Sequence, residues 1–509
     1  MHMKNQKRKN ILLITSDQQH WDTLGAFNKE ISTPNLDRLI EEGMVFDRAY
    51  CPNPTCTPTR ASMITGLYPS QHGAWSLGTK LPEETETIGS ILKEEGYKTA
   101  LIGKAHFQHN LQNKKYPSLE AMPLLQDLEF WRNFDEEFYG FDTIELTRNH
   151  TNEFLVGQHY AIWMEDNGLD NWRDYFSAPT GTMDPEKKHV WEIPEKYHYN
   201  AWIAERTNGL LKNYKENDEN FFLWSSFFDP HPPYFVPEPW ASMYDPNEIT
   251  ISGYAEGEHE KNPPHFAMTQ EQAPDYSTYF EPEDKNWLHG CHSHIQDEQS
   301  LRKDIAIYYG MISMMDEYIG KILNQLDELG IADETLVVFT TDHGHFFGHH
   351  GLTAKGPFHY EDMIKVPMIA RDNKEIKSGS VNSSFQSLVD FTPTFLEWVG
   401  LKVPRTMSGI SQAEVWKGNS ESVRDHIIVE NQHTATTMNL RTYVNERYKI
   451  TVYFNNEYGE LYDLQNDPKE VHNLWDNPEI EALKSELLVK FMWAEMGKVP
   501  LWMPRVSLA

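Results

Sequence analysis

The chain has 509 residues, of which 39% are hydrophobic and 13% aromatic, enough for one large domain and a smaller one. Its formal net charge of −31 argues against binding nucleic acid or anionic lipid through bulk electrostatics, so an anionic substrate needs a local positive site. The three cysteines, Cys51, Cys56 and Cys291, exclude a disulfide framework but leave a single Cys51–Cys291 bridge open.

The amino-terminal stretch gives no sign of a membrane anchor or an export signal. No apolar run in the chain reaches the length of a membrane-spanning helix, so no membrane association is expected. The first ten residues are basic, and the apolar segment at 11–14 is too short for the core of a signal peptide. Met1 and His2 resemble a cloning scar before a native Met3. We therefore expect a cytoplasmic protein, with removal of an export signal as the alternative.

Short apolar runs alternate with amphipathic segments along most of the chain. Buried strands are predicted at 10–17, 97–103, 221–227 and 335–341, and helices at 33–43, 87–95, 200–214, 301–329 and 391–399. This alternation indicates an α/β fold with a large, mostly parallel sheet sandwiched by helices. We predict a catalytic domain over residues 1–405 with insertions near 107–200 and 236–298. Alternating patterns near 441–464 predict a smaller α+β domain with an antiparallel sheet over residues 406–509.

Acidic side chains follow the first and the last of these predicted strands. Asp17 ends the first strand beside Gln18, and Asp342 ends the last strand beside His343. A parallel sheet brings such strand ends to one edge, where ligands bind in open α/β folds. Carboxylate and amide oxygens suit a hard divalent ion. A single acid at a strand end is as often a helix cap, so the pair is what favours a metal site.

Basic groups follow the same strands. Lys104 and His106 come after the strand at 97–103, His231 follows the next apolar strand, and Lys355 follows Asp342 by thirteen positions. A bound tetrahedral anion needs such donors, and a leaving alkoxide needs a general acid, which suits histidine. Each residue alone is more often structural or solvated. Their convergence on one edge of the sheet predicts an oxyanion site.

A polar loop places Cys56 at the start of a helix-like run, in the order Cys-Thr-Pro-Thr-Arg with Arg60 at the end and Thr65-Gly66 further on. The helix dipole and the Arg60 guanidinium favour anionic chemistry there. The alternative is a buried, inert thiol beside a surface arginine. Four positions separate Cys56 from Arg60, which disfavours a phosphatase loop with a spacing of six.

This stretch closely resembles the signature of the type I sulfatases, C-x-P-[S/T/A]-R followed by Thr-Gly, which have an alkaline-phosphatase-like fold. Residues 96–106 resemble the second motif of that family, G-Y-x-[S/T]-x-x-x-G-K-x-H, with Ala105 where an aromatic residue is usual. Residues 342–344 resemble the metal segment, 351–355 the late lysine segment and 461–474 the C-terminal segment. The resemblance therefore extends over nearly the whole chain, apart from the two insertions.

The resemblance implies a formylglycine, formed from Cys56 after translation by a formylglycine-generating maturation enzyme. One hydroxyl of its hydrated aldehyde attacks sulfur, and the second then expels sulfate. The resemblance also implies one divalent ion, calcium, held by Asp17, Gln18, Asp342, His343 and position 56. Gln18 stands where a second Asp is frequent, and His343 where Asn is frequent.

The resemblance assigns roles to the basic residues as well. Arg60 would secure the aldehyde hydrate, while Lys104 and Lys355 would bind the sulfate oxygens. His231 would protonate the leaving group, and His106 would assist the release of sulfate. The expected substrate is a sulfated carbohydrate or a small organic sulfate, and the oligomeric state is not predicted.

Two other functions stay open. Phosphonate monoester hydrolases and phosphodiesterases share the fold, the formylglycine and the Asp-Gln and Asp-His pairs, although Lys104 and His106 favour sulfate. A non-catalytic metal- or glycan-binding protein would keep Cys56 as a thiol.

The histidines at 289–294 and 345–350 suggest transition-metal sites, but a polar loop and a pocket lining are the simpler interpretations. Four tryptophans could stack on sugar rings, though such residues are more often core: Trp163, Trp172, Trp191 and Trp240.

Overall fold

The computed structural model describes residues 8–150, 153–176, 190–279, 297–432, 437–503 and 505–507. Cys291 and the histidine segment at 289–294 lie outside these residues. The strands are β1 Asn10–Ser16, β2 Met44–Phe46, β3 Ala49–Tyr50, β4 Lys98–Gly103, β5 Thr143–Leu146, β6 Phe221–Ser226, β7 Thr335–Thr341, β8 Phe346–Phe347, β9 Thr353–Ala354, β10 Met368–Arg371, β11 Ser380–Asn382, β12 Gln386–Ser387, β13 Ile427–Gln432, β14 Asn439–Val444, β15 Tyr448–Tyr453 and β16 Gly459–Asp463. The α-helices are α1 Pro34–Glu42, α2 Cys56–Thr65, α3 Pro69–His72, α4 Ile88–Glu94, α5 Leu128–Arg132, α6 Gln158–Asp166, α7 Arg173–Phe176, α8 Tyr199–Glu216, α9 Pro264–Met268, α10 Glu298–Glu328, α11 Glu361–Ile364, α12 Phe391–Trp398, α13 Ala413–Trp416 and α14 Glu481–Gly497.

The main sheet contains eight strands in the order β11-β2-β10-β7-β1-β6-β4-β5. The five strands from β7 to β5 run parallel, whereas β10 is antiparallel to both of its neighbours. Leu12 and Ile14 of β1 pack in one hydrophobic core, and Ile11 and Leu13 pack in the other. Both faces of the sheet are therefore covered, which explains why its central strands read as continuous apolar runs.

The α/β architecture predicted from the sequence is confirmed, and the four predicted strands form β1, β4, β6 and β7. The segment near 107–200, which the sequence predicts to be an insertion, contains regular structure. It contributes β5, which pairs with β4 and forms one edge of the main sheet. The strand is only four residues long and mostly half-buried, too short for a periodic pattern to reveal it.

The four tryptophans proposed as sugar platforms lie in or against the core. Trp163, Trp172 and Trp191 are buried in the larger hydrophobic core, and Trp240 packs against it. They are structural, which is the more frequent role of such residues. Among the described residues, no helix has both the length and the apolar composition needed to cross a bilayer.

An antiparallel sheet near the carboxyl end confirms the second predicted feature of the fold. It has the order β13-β14-β15-β16 and packs on α14 through Ile428, Leu461 and Leu487. The first strand, β13, was not predicted. Arg424, just before β13, forms a buried ion pair with Asp390, which precedes α12. This pair ties the small sheet to the main part of the chain.

A buried acid on the longest helix holds the amino terminus of α1. Asp316 of α10 accepts hydrogen bonds from the backbone N–H of Asn35 at 3.0 Å and of Leu36 at 2.7 Å. Thr33 precedes α1 but makes no capping hydrogen bond, because its hydroxyl bonds Asp37 instead. Asp316 therefore satisfies two of the unpaired donors that every helix leaves at its start.

We predict that Asp316→Ala destabilises the protein by roughly 1–3 kcal/mol, because it leaves two buried backbone donors unpaired. Urea denaturation followed by circular dichroism measures the change in the free energy of unfolding. Glu317→Gln is the control, since the pair that Glu317 forms with Lys321 is exposed and worth about 0.5 kcal/mol or less. Equal unfolding midpoints for Asp316→Ala and the control would contradict this account of the cap.

Candidate active site at the carboxyl edge of the main sheet

Two neighbouring parallel strands deliver the acids of the site. Asp17 follows β1 and Asp342 follows β7, and these strands are paired in register up to their last residues. Cys56 is the first residue of α2, and its Sγ lies 3.7 Å from Asp17 Oδ1 and 3.2 Å from His343 Nε2. The ligand atoms of these four residues all lie within 4.8 Å of one another. The structure thus brings together four residues that the sequence separates by up to 326 positions.

The loop before Cys56 is fixed by the small antiparallel sheet. The Asn53 side chain donates to the carbonyl of Glu430 in β13 at 2.6 Å, and the N–H of Glu430 donates to the carbonyl of Pro52 at 2.8 Å. The side-chain oxygen Oδ1 of Asn53 in turn accepts from the N–H of Thr55 at 2.9 Å. The position of Cys56 therefore depends on the carboxyl-terminal part of the chain.

Arg60 lies one turn after Cys56 and is fully buried. Its Nε donates to Asp342 Oδ2 at 2.9 Å, and its Nη1 donates to the carbonyl of Lys104 at 3.0 Å and to Ser226 Oγ at 2.8 Å. Nη2 lies 3.7 Å from Asp17 Oδ2 without a hydrogen bond among the described residues. The guanidinium thus joins the ends of β4, β6 and β7 beneath the cluster.

Two lysines flank Cys56 from different sides. The Lys104 ammonium contacts the Asp17 carboxylate and lies 3.9 Å from Cys56 Sγ. Lys355 Nζ lies 3.4 Å from the same sulfur. Gly103, just before Lys104, has φ +103°, and a Cβ there would lie 1.9 Å from the carbonyl oxygen of Ser226. Only glycine fits at this position, which explains the Gly-Lys pair in the sequence.

The charges of the cluster keep its acids ionised and its thiol neutral. Burial opposes ionisation of Asp17, but Lys104 and Arg60 outweigh it and hold the pKa well below its usual value. Burial and the Asp17 carboxylate raise the pKa of Cys56 to about 11. Burial thus offsets the helix start and Arg60, which by sequence alone favour anionic chemistry at this position. At neutral pH this thiol is a weak nucleophile.

The donor atoms in the cluster fit a hard divalent cation. The carboxylates of Asp17 and Asp342 supply oxygens, and the buried Oε1 of Gln18 has no hydrogen bond among the described residues. The other end of the Gln18 amide donates to His345 at 2.8 Å, which fixes Oε1 as the free atom. His343 Nδ1 donates to the carbonyl of Gly344 at 3.0 Å, which leaves Nε2 unprotonated and able to coordinate.

The two candidate histidines differ in their contacts. His231 is half-buried, its Nδ1 donates to the carbonyl of Pro232 at 2.6 Å, and its Nε2 lies 3.4 Å from Lys355 Nζ. Burial, reinforced by Lys355 and Lys104, lowers the pKa of His231 well below its ordinary value. Lys355 therefore links the His231 ring to Cys56, and the site opens to solvent on the His231 side.

His106 lies deeper in the site than His231. Its backbone N–H donates to Glu120 at 2.8 Å, and its Nδ1 is buried without a hydrogen bond among the described residues. Burial, with Arg148 and Lys104, lowers its pKa well below the ordinary value. Both candidate histidines are thus neutral at pH 7 before substrate binds.

Arg148 is a cation of this edge that the sequence analysis missed. It comes two residues after β5, as Lys104 comes directly after β4. Its guanidinium is buried, and burial lowers its pKa in spite of the opposing charge of Glu120. The sequence did contain a signal for Arg148, namely a basic residue that follows a short strand. It was overlooked because the surrounding segment was interpreted as an insertion.

A second histidine cluster lies nearby, and hydrogen bonds fix the orientation of its rings. The ligand atoms of His20, His349 and Asp362 lie within 4.8 Å of one another. The Nδ1 atoms of both histidines accept backbone N–H bonds, at 3.1 Å from Asp22 and 3.3 Å from Phe347. Their protons therefore sit on Nε2 and point at the Asp362 carboxylate, which disfavours coordination of a metal there.

His350, next to this cluster, is positively charged at neutral pH. Its Nδ1 donates to Glu258 at 2.8 Å, and its Nε2 lies 3.6 Å from Asp362. Burial alone would lower the pKa of His350, but the hydrogen bonds and charges of Asp362 and Glu258 raise it to about 9. His350 is therefore a structural cation between two acids beside the site.

Fold and site together define a class of protein. A doubly wound sheet carries buried acids, a nucleophile position at a helix start and flanking lysines, an arrangement that defines a hydrolase of anionic esters with an alkaline-phosphatase-like fold. The chain belongs to the sulfatase family: the family model described as Sulfatase matches residues 9–401. A second model, described as N-sulphoglucosamine sulphohydrolase, C-terminal, matches residues 348–496. The protein is therefore a hydrolase of sulfate esters.

The chain is similar to named proteins over nearly its whole length. It is 28% identical to an arylsulfatase of Clostridium perfringens, with 96% of each chain covered. It is 25% identical to an N-acetylglucosamine-6-O-sulfatase of Bacteroides thetaiotaomicron, covering 95% of this chain and 85% of that one. Its fold matches a phosphonate monoester hydrolase from Silicibacter pomeroyi with a TM-score of 0.80, at 21% identity, covering 99% of this chain and 98% of that one.

We predict that His350 makes stability depend on pH between about 6.5 and 9. Its pKa is raised on folding, so the stabilisation is complete below pH 6.5 and is lost as the pH rises through about 9. The loss amounts to roughly 3 kcal/mol at most. The free energy of unfolding, measured by urea denaturation at intervals of pH, should fall over this range in the wild type and stay flatter in His350→Gln.

His349→Gln is the matched control for this experiment. Burial lowers the pKa of His349 to about 4, so its contribution to stability changes only below pH 6.5. The control should therefore keep the wild-type slope between pH 6.5 and 9. Parallel slopes for the wild type and His350→Gln would contradict a charged His350.

Proposed function

We propose that this sulfatase removes sulfate from a sulfated carbohydrate, or from a small organic sulfate, with a formylglycine at position 56 and a calcium ion. One observation carries the proposal: Cys56 lies within hydrogen-bond distance of a histidine and two lysines and beside two buried acids. The similarity to an N-acetylglucosamine-6-O-sulfatase supports a carbohydrate as substrate. The overall reaction consumes water and yields an alcohol and sulfate.

The properties of Cys56 support its conversion by a formylglycine-generating enzyme. With a pKa of about 11, the unmodified thiol is protonated at neutral pH, because burial and the Asp17 carboxylate outweigh the charges of Lys104 and Lys355. A formylglycine would supply a hydrated aldehyde with one hydroxyl for attack on sulfur and another for release of sulfate. The conversion thus removes the dependence on a thiolate that the buried acids disfavour.

The residues around Cys56 are also suited to hold the ion. Asp17, Asp342 and Gln18 would provide oxygen ligands, and His343 would provide Nε2. Oxygen-rich sites of this kind suit calcium better than zinc, which prefers nitrogen and sulfur. Bound there, the ion would supply positive charge next to the nucleophile and the sulfuryl oxygens. Arg60 fixes Asp342 from below and keeps this carboxylate in place.

Lys104 and Lys355 are placed to bind the sulfuryl oxygens. Their ammonium groups lie 3.9 and 3.4 Å from Cys56 Sγ, the atom at the nucleophile position. An ester held at this position would therefore lie between the two lysines. Charged donors in a buried site stabilise the negative charge on the sulfuryl group more strongly than water does. His106, next to Lys104 in this wall, would assist the departure of sulfate.

His231 is positioned to protonate the leaving oxygen. Its Nε2 faces Lys355, and its pKa is low because of burial and the two lysine charges. A bound sulfate ester carries a negative charge that offsets those charges and raises the affinity of Nε2 for a proton. The protonated ring then donates to the alkoxide as the bond from sulfur to oxygen breaks, and it recovers its proton from solvent at the open side.

Hydrolysis of phosphonate monoesters is the alternative activity. The fold is similar to that of one such enzyme, and the resemblance implies the same Asp-Gln and Asp-His pairs, here Asp17-Gln18 and Asp342-His343. Lys104 and His106 favour the sulfatase activity, because we expect phosphonate monoester hydrolases to carry other residues at these two positions. The metal site itself does not separate the two activities.

We predict that protein produced together with a formylglycine-generating enzyme has lost one sulfur and two hydrogens and gained one oxygen at residue 56. Intact-mass and peptide mass spectrometry check this, and release of sulfate from 4-nitrophenyl sulfate checks activity. Cys56→Ala should lower kcat/KM at least roughly a thousandfold, because no nucleophile remains. Cys51→Ala, a second buried thiol that contacts the carbonyl of Met363, should remain active. Full activity of Cys56→Ala would refute the proposal.

We predict a higher kcat/KM for an aryl sulfate than for an aryl phosphonate with the same 4-nitrophenyl leaving group, by about tenfold or more. Because the leaving group is the same in both esters, the difference in kcat/KM reports only the difference between the sulfate and the phosphonate group. Lys104→Met should lower the kcat/KM of the sulfate more than that of the phosphonate, because Lys104 is the feature that favours sulfate. A preference for the phosphonate in the wild type would select the alternative activity.

A further inference from the structure

Arg148 is a buried cation with no function in the chemistry described so far. It is 5% exposed, and its Nη1 has no hydrogen bond among the described residues. Its one described ion pair joins Nη1 to Glu120 Oε1 at 3.8 Å, too far for a hydrogen bond. Burying a guanidinium without hydrogen bonds is costly, so an anionic ligand at this position would complete an unfinished set of contacts.

Glu120 does not require Arg148 for its own hydrogen bonds. Its carboxylate accepts from the backbone N–H of His106 at 2.8 Å and of Gln108 at 2.6 Å. These two bonds shape the segment that follows Lys104. Arg148 therefore remains available to a ligand on the side that does not face Glu120.

The position of Arg148 places it in the wall of the active site. The N–H of Thr147 donates to the carbonyl of Gly103 at 3.3 Å, so the chain after β5 runs beside the chain that leads to Lys104. Glu120 Oε1, which lies 3.8 Å from Arg148 Nη1, also accepts the backbone N–H of His106 at 2.8 Å. The guanidinium thus lies close to His106 at the edge of the sheet.

The scissile sulfate does not need Arg148. Lys104 and Lys355 already lie within 3.9 Å of Cys56 Sγ, whereas Arg148 makes no such contact with Cys56 among the described residues. Two residues further on, His150 Nε2 contacts the carbonyl oxygen of His231 at 2.9 Å, so the segment that carries Arg148 continues to the residue proposed to meet the leaving alcohol. A guanidinium there can bind a planar or tetrahedral anion with two parallel hydrogen bonds.

We propose that Arg148 binds a second anionic group, a carboxylate or a further sulfate, carried by the alcohol part of the ester. The inference rests on the proposed function and makes it more specific: the preferred substrates are sulfated sugars with two negative charges. Arg148 is thus a specificity-determining residue of the sulfatase.

Kinetics on matched pairs of esters test this proposal. N-acetylglucosamine 6-O-sulfate is compared with glucosamine 2-N,6-O-disulfate, and phenyl sulfate with 3-carboxyphenyl sulfate. The wild type should favour the second member of at least one pair about tenfold in kcat/KM. The pair that shows this preference identifies the second anion as a sulfate or a carboxylate. In Arg148→Met that preference should fall about tenfold. Arg148→Lys should retain part of it, because the charge remains but the two parallel hydrogen bonds do not.

Two control variants distinguish recognition from a structural effect. Arg132→Met removes an exposed arginine that pairs with Asp166 and should leave the preference unchanged. Glu120→Gln removes the ion pair but keeps Arg148. If Arg148 only balanced Glu120, then Arg148→Met would affect both members of each pair alike, and this outcome would overturn the proposal. An unchanged preference in Arg148→Met would overturn it as well.

A binding measurement separates failure of this proposal from failure of the proposed function. Cys56→Ala protein binds esters without turning them over, so calorimetry reports affinity whether or not the wild type is active. The Kd for glucosamine 2-N,6-O-disulfate should rise about tenfold when Arg148→Met is added to Cys56→Ala. Equal affinities with and without Arg148 would refute the anion site, even if sulfate release by the wild type is normal.

Discussion

The site depends on four buried charges that neutralise one another. Arg60 pairs with Asp342, and Lys104 pairs with Asp17, all four side chains being fully buried. Removing either cation would leave an uncompensated carboxylate in a region of low dielectric, at a cost of about 3–5 kcal/mol. Arg60 also bonds the chain after β4 and Ser226 at the end of β6. The same contacts that neutralise the acids therefore fix the strand ends that carry the site.

The charge balance also explains why the Cys56 thiol does not ionise readily. Each cation next to Cys56 except Lys355 already has a carboxylate partner among the described residues, so little positive charge remains to stabilise a sulfur anion. A nucleophile made from a neutral hydroxyl does not need that stabilisation in its resting state. Lys355, without an ion pair among the described residues, is then free to bind the anionic ester.

The sequence predicted the parts of the site that follow long buried strands. Asp17 and Asp342 could be placed together because apolar runs ending in an acid predict parallel strands, whose carboxyl ends share one edge. Arg148 could not be placed, because β5 is too short and too exposed to give a pattern. The protonation state of Cys56 could not be predicted, for a different reason. Burial is a property of the whole fold and cannot be read from the residues on either side of the cysteine.

The net charge of −31 is compatible with an anionic substrate because the charges act over different distances. Surface charges are screened within about 8 Å at physiological ionic strength, whereas charges inside the protein are screened much less. Lys355 and the loosely paired Arg148 therefore control the potential inside the site, while the acidic surface acts only near the entrance. There it opposes the entry of the ester and favours the departure of sulfate. Binding must then come from contacts within the site, which is why a second cation such as Arg148 can determine which esters are hydrolysed.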